Sequence, residues 1–95
     1  MTVQALALIT VTDKEVLGKY REVAAQALAK HGGKVVAGDP APTVLEAAFE
    51  APTLTALLSF PSVEAATAWR EDPALGDIHA LRNAGGKSTI VVLPS

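Results

Sequence analysis

His79 and Arg82 are the side chains best suited to chemistry, and they stand three residues apart in DPALGDIHALRN, residues 72–83. Residues at this spacing lie on the same side of a helix. A guanidinium binds a carboxylate or phenolate through two parallel hydrogen bonds, and a neutral imidazole can move a proton. The pair therefore suits catalysis, with His79 as the base and Arg82 as the anion holder. We favour a simpler interpretation, a solvated helix edge on which Arg82 pairs with Asp77 or another surface acid.

Three aromatic residues complete the candidate ligand-binding site: Tyr20, Phe60 and Trp69. Tyr20 lies on the apolar face of the first predicted helix, where we favour core packing with a hydrogen bond over a role in a pocket. Trp69 is the only tryptophan and ends the stretch FPSVEAATAW. It shares a helical stripe with the alanines before it, so we favour a core anchor. A cavity that remained beside Trp69 would be the ligand site.

The other histidine, His31, directly precedes Gly32-Gly33 at the end of the first predicted helix. An imidazole in that position interacts with the last carbonyls and with the negative end of the helix dipole. No second ligand has helical or strand spacing to His31, so we predict no metal site. Zero cysteines exclude thiolate ligands and iron–sulfur clusters. Phosphate-loop, nucleophile-elbow and dinucleotide motifs are also absent from the sequence, and we expect no cofactor.

The composition is typical of one small globular domain, residues 1–95. A net charge of −2 without a basic cluster argues against nucleic acid as a partner, since phosphates require a basic face. The N-terminal apolar run stops at Thr10–Asp13 and lacks the basic start of a signal peptide. Nothing approaches the roughly 20 apolar residues of a membrane helix. We therefore predict a cytoplasmic protein that binds neither nucleic acid nor membrane.

Runs of β-branched and aliphatic residues predict the strands, and hydrophobic residues at helical spacing predict the helices. The predicted strands are Val3–Val11, Lys34–Ala37, Leu54–Phe60 and Ser88–Leu93, with a further short strand at Thr43–Ala48 after a loop at Gly38–Pro42. The first helix follows a capping box in which Thr12 is the N-cap and Glu15 its partner, and it stops at Gly32-Gly33. Ser62 caps a second helix that runs to about Glu71. The third helix starts at Asp72-Pro73 and ends at Gly85-Gly86.

This order is βαββαβ, and the tripeptide Gly-Gly-Lys closes a helix and opens a strand in each half. Such a chain forms a ferredoxin-like α+β fold, a four-stranded antiparallel sheet with helices on one face. The strands are apolar on both sides, as Leu6 and Leu8 show between the odd-numbered apolar residues of Val3–Val11. A sheet with one face in water alternates apolar with polar. We therefore predict a face-to-face homodimer that encloses a closed or nearly closed barrel.

Five stretches carry a resemblance to a known family: ITVTDKEVLGKY, AKHGGKVV, VLEA, LLSFPSVEAATAW and DPALGDIHALR. In this order they resemble the domain-of-unknown-function family thirteen-thirty, which belongs to the dimeric α+β barrel superfamily. The resemblance spans nearly the whole chain and implies the same βαββαβ dimer. The superfamily includes cofactor-free monooxygenases, haem-degrading enzymes and lactone isomerases. The resemblance therefore implies a fold and not one reaction.

Three functions remain open from the sequence. The leading one is a homodimeric domain that binds a small apolar or aromatic ligand between helices and sheet, with a pocket lined by Tyr20, Phe60, Trp69, His79 and Arg82. The alternative is a cofactor-independent monooxygenase- or isomerase-like enzyme, in which His79 and Arg82 are the catalytic candidates. The third is a structural interaction dimer without a ligand.

Overall fold

A four-stranded antiparallel sheet carries the helices on one face. The computed structural model describes residues 2–93. The elements are β1 (Val3–Val11), α1 (Lys14–Ala29), β2 (Lys34–Asp39), β3 (Leu54–Phe60), α2 (Val63–Glu71), a 3₁₀ turn (Pro73–Leu75), α3 (Gly76–Gly85) and β4 (Gly86–Leu93). The strand order across the sheet is β2-β3-β1-β4. The predicted ferredoxin-like βαββαβ fold is confirmed, and β1 and β3 have the predicted bounds.

Helix α1 begins one residue later than predicted, because its N-cap is Asp13 and not Thr12. The carboxylate of Asp13 accepts hydrogen bonds from the backbone N–H groups of Glu15 (3.1 Å) and Val16 (3.2 Å). The backbone N–H groups of Thr12 and Asp13 both donate to the carbonyl of Gly85, which holds the start of α1 against the end of α3. An aspartate also gains from the positive end of the helix dipole.

The two Gly-Gly pairs perform different tasks, although both follow helices. Gly32 has a φ of 75°, the left-handed conformation predicted for the end of the first helix. In the second pair no left-handed residue occurs, and α3 passes directly into the extended Gly86. The second pair is needed for close packing. A Cβ on Gly85 would lie 2.7 Å from the backbone nitrogen of Leu17, and one on Gly86 would lie 2.7 Å from the carbonyl oxygen of Thr10.

The connection between β2 and β3 differs from the prediction. Strand β2 continues through Gly38 and Asp39, which pair with β3 and were predicted as loop, and it contains a bulge between Val35 and Ala37. Thr43–Ala48 is not a strand, and it lies in the irregular segment 40–53. Prolines at both ends of this segment lack the N–H that a strand ladder requires. The segment is tied to the end of β1, where the N–H of Thr53 donates to the carbonyl of Ile9.

The apolar core lies between the helices and the odd-numbered side of β1. Ala5 and Leu58 from the sheet pack in it with Leu28 of α1 and Trp69 of α2. The opposite side of the sheet is also apolar, as predicted, and it is open to solvent. Its residues include the half-buried Leu6, Leu8 and Leu57 and the exposed Val91 and Leu93.

Candidate functional site

Small residues at the centre of the sheet leave space beneath the helices. Ala7 of β1 is paired with Ala56 of β3 on one side and with Ile90 of β4 on the other. Ala5 lies two residues before Ala7 on the same face. Methyl groups at these positions cannot fill the layer between sheet and helices, which large side chains would close. The sequence signal for this space was the alternation ALAL in β1, which the strand prediction used only for its hydrophobicity.

Two cavities occupy this space. The smaller, of about 300 Å³, has walls that include Phe60 of β3 and Trp69 of α2. The larger, of about 410 Å³, lies against α1 and has walls that include Tyr20 and Leu28. Arg82 and Ile90 line both cavities. Volumes of a few hundred Å³ are typical of pockets for small molecules.

Arg82 is a buried cation without an acidic partner. Its side chain is among the largest that are fully buried, with 2% of its surface exposed. No carboxylate of residues 2–93 lies within ion-pair distance of it. The predicted solvated edge with an Arg82–Asp77 pair is therefore wrong. The physical reason is the orientation of α3, which buries His79, Arg82 and Gly85 at a spacing of three residues.

Neutral and aromatic groups surround the Arg82 guanidinium instead. Its Nη1 donates to Nδ1 of His79 at 2.9 Å and to the hydroxyl oxygen of Tyr20 at 3.4 Å. Its Cζ lies 5.3 Å from the centre of the Trp69 ring and 5.5 Å from that of Tyr20, within the range of cation–π attraction. Nε of Arg82 is buried and has no acceptor within the described chain. The guanidinium is thus held in place while part of its hydrogen-bonding capacity is unused.

His79 is buried beside Arg82 and does not line either cavity. Its Nε2 lies 2.9 Å from the carbonyl oxygen of Trp69, which can only accept, so Nε2 carries the proton. In the neutral ring Nδ1 is then the acceptor for Arg82. Burial lowers the pKa of His79 below its ordinary value, and the positive charge of Arg82 lowers it further. The geometry makes His79 a neutral group that orients Arg82.

Trp69 is both a core residue and part of a cavity wall. Only 3% of its surface is exposed, and its ring meets His79 edge-on with the ring centres 4.8 Å apart. The Phe60 ring also contacts the Trp69 ring, with 5.6 Å between the ring centres. Like Arg82, Trp69 has a buried donor without an acceptor, the indole Nε1. The structure therefore places Phe60, Trp69, His79 and Arg82 in one cluster.

Tyr20 joins this cluster from α1. It is half-buried, its hydroxyl accepts the hydrogen bond from Arg82, and its ring lines the larger cavity. The predicted hydrogen bond of Tyr20 and its place in the pocket wall are both observed, whereas Tyr20 is not part of the apolar core cluster. All five residues predicted for the site thus lie together, four of them on cavity walls and His79 behind Arg82.

His31 belongs to a separate polar cluster. Its Nε2 lies 2.8 Å from Oδ2 of Asp72, which Lys30 also contacts at 2.8 Å. The N–H of Ala74 donates to the other carboxylate oxygen of Asp72. Lys30, His31 and that N–H hold the pKa of Asp72 well below its usual range. The predicted contact of His31 with the last carbonyls of α1 is replaced by this pair, which links the end of α1 to the 3₁₀ turn.

Two negative findings apply to residues 2–93. No three His, Asp or Glu side chains there lie close enough together to hold a metal ion. None of the helices in that part of the chain has the length and hydrophobicity needed to cross a membrane.

Comparison with known proteins agrees with the fold. The family described as "Domain of unknown function (DUF1330)" matches residues 2–95, nearly the entire chain. The chain belongs to the DUF1330 family. The sequence-based resemblance is therefore confirmed, and no curated protein matches this DUF1330 chain.

Solved structures similar to this DUF1330 chain include proteins with and without a described activity. A protein of unknown function from Rhodopseudomonas palustris is 21% identical, with a TM-score of 0.80 over 99% of this chain and 82% of that one. SnoaB, a cofactor-independent oxygenase from Streptomyces nogalater, is 14% identical, with a TM-score of 0.71 over 99% and 92%. A dimeric protein of unknown function from Bacteroides fragilis, described as ferredoxin-like, is 11% identical, with a TM-score of 0.56 over 99% and 96%. Likeness at such identities shows the fold alone.

Proposed function

We propose that this chain is a homodimeric domain that binds a small molecule with an apolar or aromatic body between its helices and sheet. The observation that carries the proposal is Arg82, a buried cation that has no acidic partner within residues 2–93 and lies on the wall shared by two cavities. Removing a charge from water costs several kcal/mol when no counter-ion compensates it. The contacts of Arg82 with His79, Tyr20 and Trp69 provide no counter-ion, whereas a bound anion would provide one.

The walls favour an apolar ligand body. The larger cavity includes Ile9, Leu28, Leu54, Leu58 and Ile90. Such lining contributes binding free energy through burial of apolar surface, and a few polar groups set the orientation. Two aromatic residues add to this surface beside Arg82. Tyr20 lines the larger cavity, and Trp69 lines the smaller one.

Catalysis with His79 as the base has less support. Both ring nitrogens of His79 are engaged, one with the Trp69 carbonyl and the other with Arg82. A general base must reach the proton that it removes, directly or through one water. His79 lies behind Arg82 and not on a cavity wall, so binding is the function that we propose. The similarity to SnoaB concerns the fold.

The homodimer is proposed from the open face of the sheet. Leu6, Leu57 and Val91 are neighbours across β1, β3 and β4, and Val91 is 44% exposed. In the segment 40–53, Leu45 and Phe49 are almost fully exposed. Contiguous apolar surface of this kind marks an interaction site. A second copy supplies the same apolar face, as symmetric dimers require.

The ligand site can be tested by NMR. Isotope-labelled protein is titrated with a set of single-ring aromatic compounds that are neutral, anionic or cationic. At least one compound is expected to shift the amide signals of Leu58 and Ile90. Ala56→Leu, which places a larger side chain on the wall of the larger cavity, should weaken this effect, whereas Ala29→Leu on the exposed side of α1 should not. Absence of any shift in these signals, or equal shifts in both variants, would refute ligand binding in the cavity.

The oligomeric state is tested separately by sedimentation. A homodimer at micromolar concentration should have twice the chain mass of 9.8 kDa. Leu57→Glu places a charge on the open face of the sheet and should produce the monomer, because a buried charge without a partner opposes association. Lys19→Glu on the outer side of α1 is the control and should leave the dimer intact. A wild-type protein that is folded and monomeric at this concentration would contradict the proposed dimer.

A further inference from the structure

Unpaired hydrogen-bond donors identify the polar group that the cavity suits. In residues 2–93 the buried side-chain polar atoms without a partner are Nε1 of Trp69 and Nε of Arg82. Both atoms are donors, and both residues line the smaller cavity. No buried side-chain acceptor in that part of the chain lacks a partner. Trp69 and Arg82 thus lack hydrogen-bond acceptors, and an unpaired buried donor lowers the stability of the folded chain.

The charged residues at the cavities also favour a ligand group that accepts hydrogen bonds and carries a negative charge. The charged residues on the smaller cavity are Arg70, Glu71 and Arg82, and those on the larger are Arg21, Asp39 and Arg82. In each set the cations outnumber the anions by two to one. Arg82 is the buried member of both sets, and the other four are exposed. Because solvent screens exposed charges, the buried guanidinium dominates the field inside the cavities.

The fixed orientation of Arg82 completes the site. His79 accepts one hydrogen bond from Nη1, and the rings of Trp69 and Tyr20 flank the guanidinium. A guanidinium held in one orientation loses little entropy when it binds a planar acceptor, and a carboxylate matches its donors in pairs. Neutral His79 contributes no second positive charge to this arrangement.

We infer that the ligand is an organic carboxylate whose anionic group pairs with Arg82 and whose apolar or aromatic body fills the larger cavity. The inference rests on the proposed function and specifies the ligand class for the same site. It assigns Arg82 as the residue that selects a carboxylate over a neutral compound of the same shape. Trp69 borders the carboxylate and supplies the nearest spectroscopic probe.

Phenylacetate and phenylacetamide provide the test, because they share a ring and a shape and differ in charge. Binding of each to the wild-type protein is measured by calorimetry and by the fluorescence of Trp69. Phenylacetate should bind at least about tenfold more tightly than phenylacetamide, since charge-assisted hydrogen bonds are roughly twice as strong as neutral ones. Arg82→Met should abolish this preference, so that phenylacetate binds the variant no more tightly than phenylacetamide does. Lys19→Gln, which removes one positive charge from the exposed side of α1, should preserve the preference.

The comparison of two ligands on the wild-type protein does not depend on whether Arg82→Met folds. Equal affinities for phenylacetate and phenylacetamide would overturn the carboxylate inference and leave cavity binding intact. A preference for phenylacetate that persists in folded Arg82→Met would also overturn it, because another cation would then be responsible. If neither compound binds at millimolar concentration while another aromatic compound shifts the amide signals of Leu58 and Ile90, the carboxylate inference fails and cavity binding stands. If no compound of the set shifts these signals, the proposed function fails and the inference fails with it.

Discussion

Acidification should destabilise this protein through His79. The buried imidazole is neutral in the folded chain, and its pKa lies below the ordinary value of 6.5 because burial disfavours the charged ring. The charges of Arg82 and Arg70 lower this pKa further, while the hydrogen bond to the Trp69 carbonyl and the charge of Asp72 oppose the shift. The unfolded chain therefore binds a proton at a higher pH than the folded chain does.

The sign and size of the effect follow from proton linkage. Stability from neutral His79 is fully present above pH 6.5 and is lost as the pH falls from there towards the lowered pKa of the folded state. Within that interval, the free energy of unfolding falls by at most about 1.4 kcal/mol per pH unit for one proton. One pH unit below 6.5 the loss is therefore at most about 1.4 kcal/mol, and a loss near this limit would be a substantial part of the stability of a small domain.

Urea unfolding at a series of pH values measures this loss, with the single Trp69 as the fluorescence probe. His79→Gln is the matched variant, because its amide retains a donor for the Trp69 carbonyl and does not titrate. The difference between the two proteins isolates His79, since every other titrating group is common to both. The stability of the wild type should fall more steeply below pH 6.5 than that of the variant. Parallel pH profiles for the two proteins would show that His79 is not a buried neutral histidine.

Two further predictions concern the packing and capping of α1. Gly85→Ala should lower the free energy of unfolding by about 1–3 kcal/mol, because the new Cβ overlaps the backbone of Leu17. Gly18→Ala has open space around it and should raise that free energy by about 0.5–1 kcal/mol in the same urea assay, and the opposite order would contradict the close α1–α3 contact. Asp13→Ala should lower the free energy of unfolding by about 1 kcal/mol, because it removes the N-cap of α1. Thr12→Ala should change the thermal unfolding midpoint little. If Thr12→Ala lowered this midpoint more than Asp13→Ala does, Thr12 and not Asp13 would be the N-cap.

The strands and the topology could be predicted because they depend on local patterns. Short runs of β-branched and aliphatic residues predicted β1 and β3 with the bounds that the structure has, and apolar residues on both parities indicated that both faces of the sheet are apolar. Ser62 before a helical run identified the start of α2, where its hydroxyl accepts from the N–H of Ala65 at 3.0 Å. These features require only neighbours in the sequence, which is why one chain without any comparison was sufficient.

The segment 40–53 and the first cap show where local patterns fail. Thr43–Ala48 has the composition of a strand, but a strand also needs a partner with free backbone groups. The outer strand β2 instead continues to Asp39, and the following residues are attached to β1 through Thr53. At α1 the predicted cap was Thr12, but aspartate is also a residue type that caps helices, and Asp13 is the observed cap. Contact of this turn with the Gly85 carbonyl determined that Asp13 occupies the position.

The residues of the candidate site were chosen from the amino-acid sequence, whereas the burial of His79 and Arg82 was not predicted from it. On α3 the hydrophobic pattern favours Ile78 and Leu81 as the inner residues, which left His79 and Arg82 at the margin. In the folded chain, packing of Gly85 against Leu17 rotates α3 so that His79 and Arg82 face inward, and Ile78 and Leu81 remain half-buried. This orientation results from contact between α1 and α3, which are distant in sequence. The chemistry available to Arg82 was therefore set by its residue type, but helix packing decided that Arg82 is buried away from every carboxylate of residues 2–93.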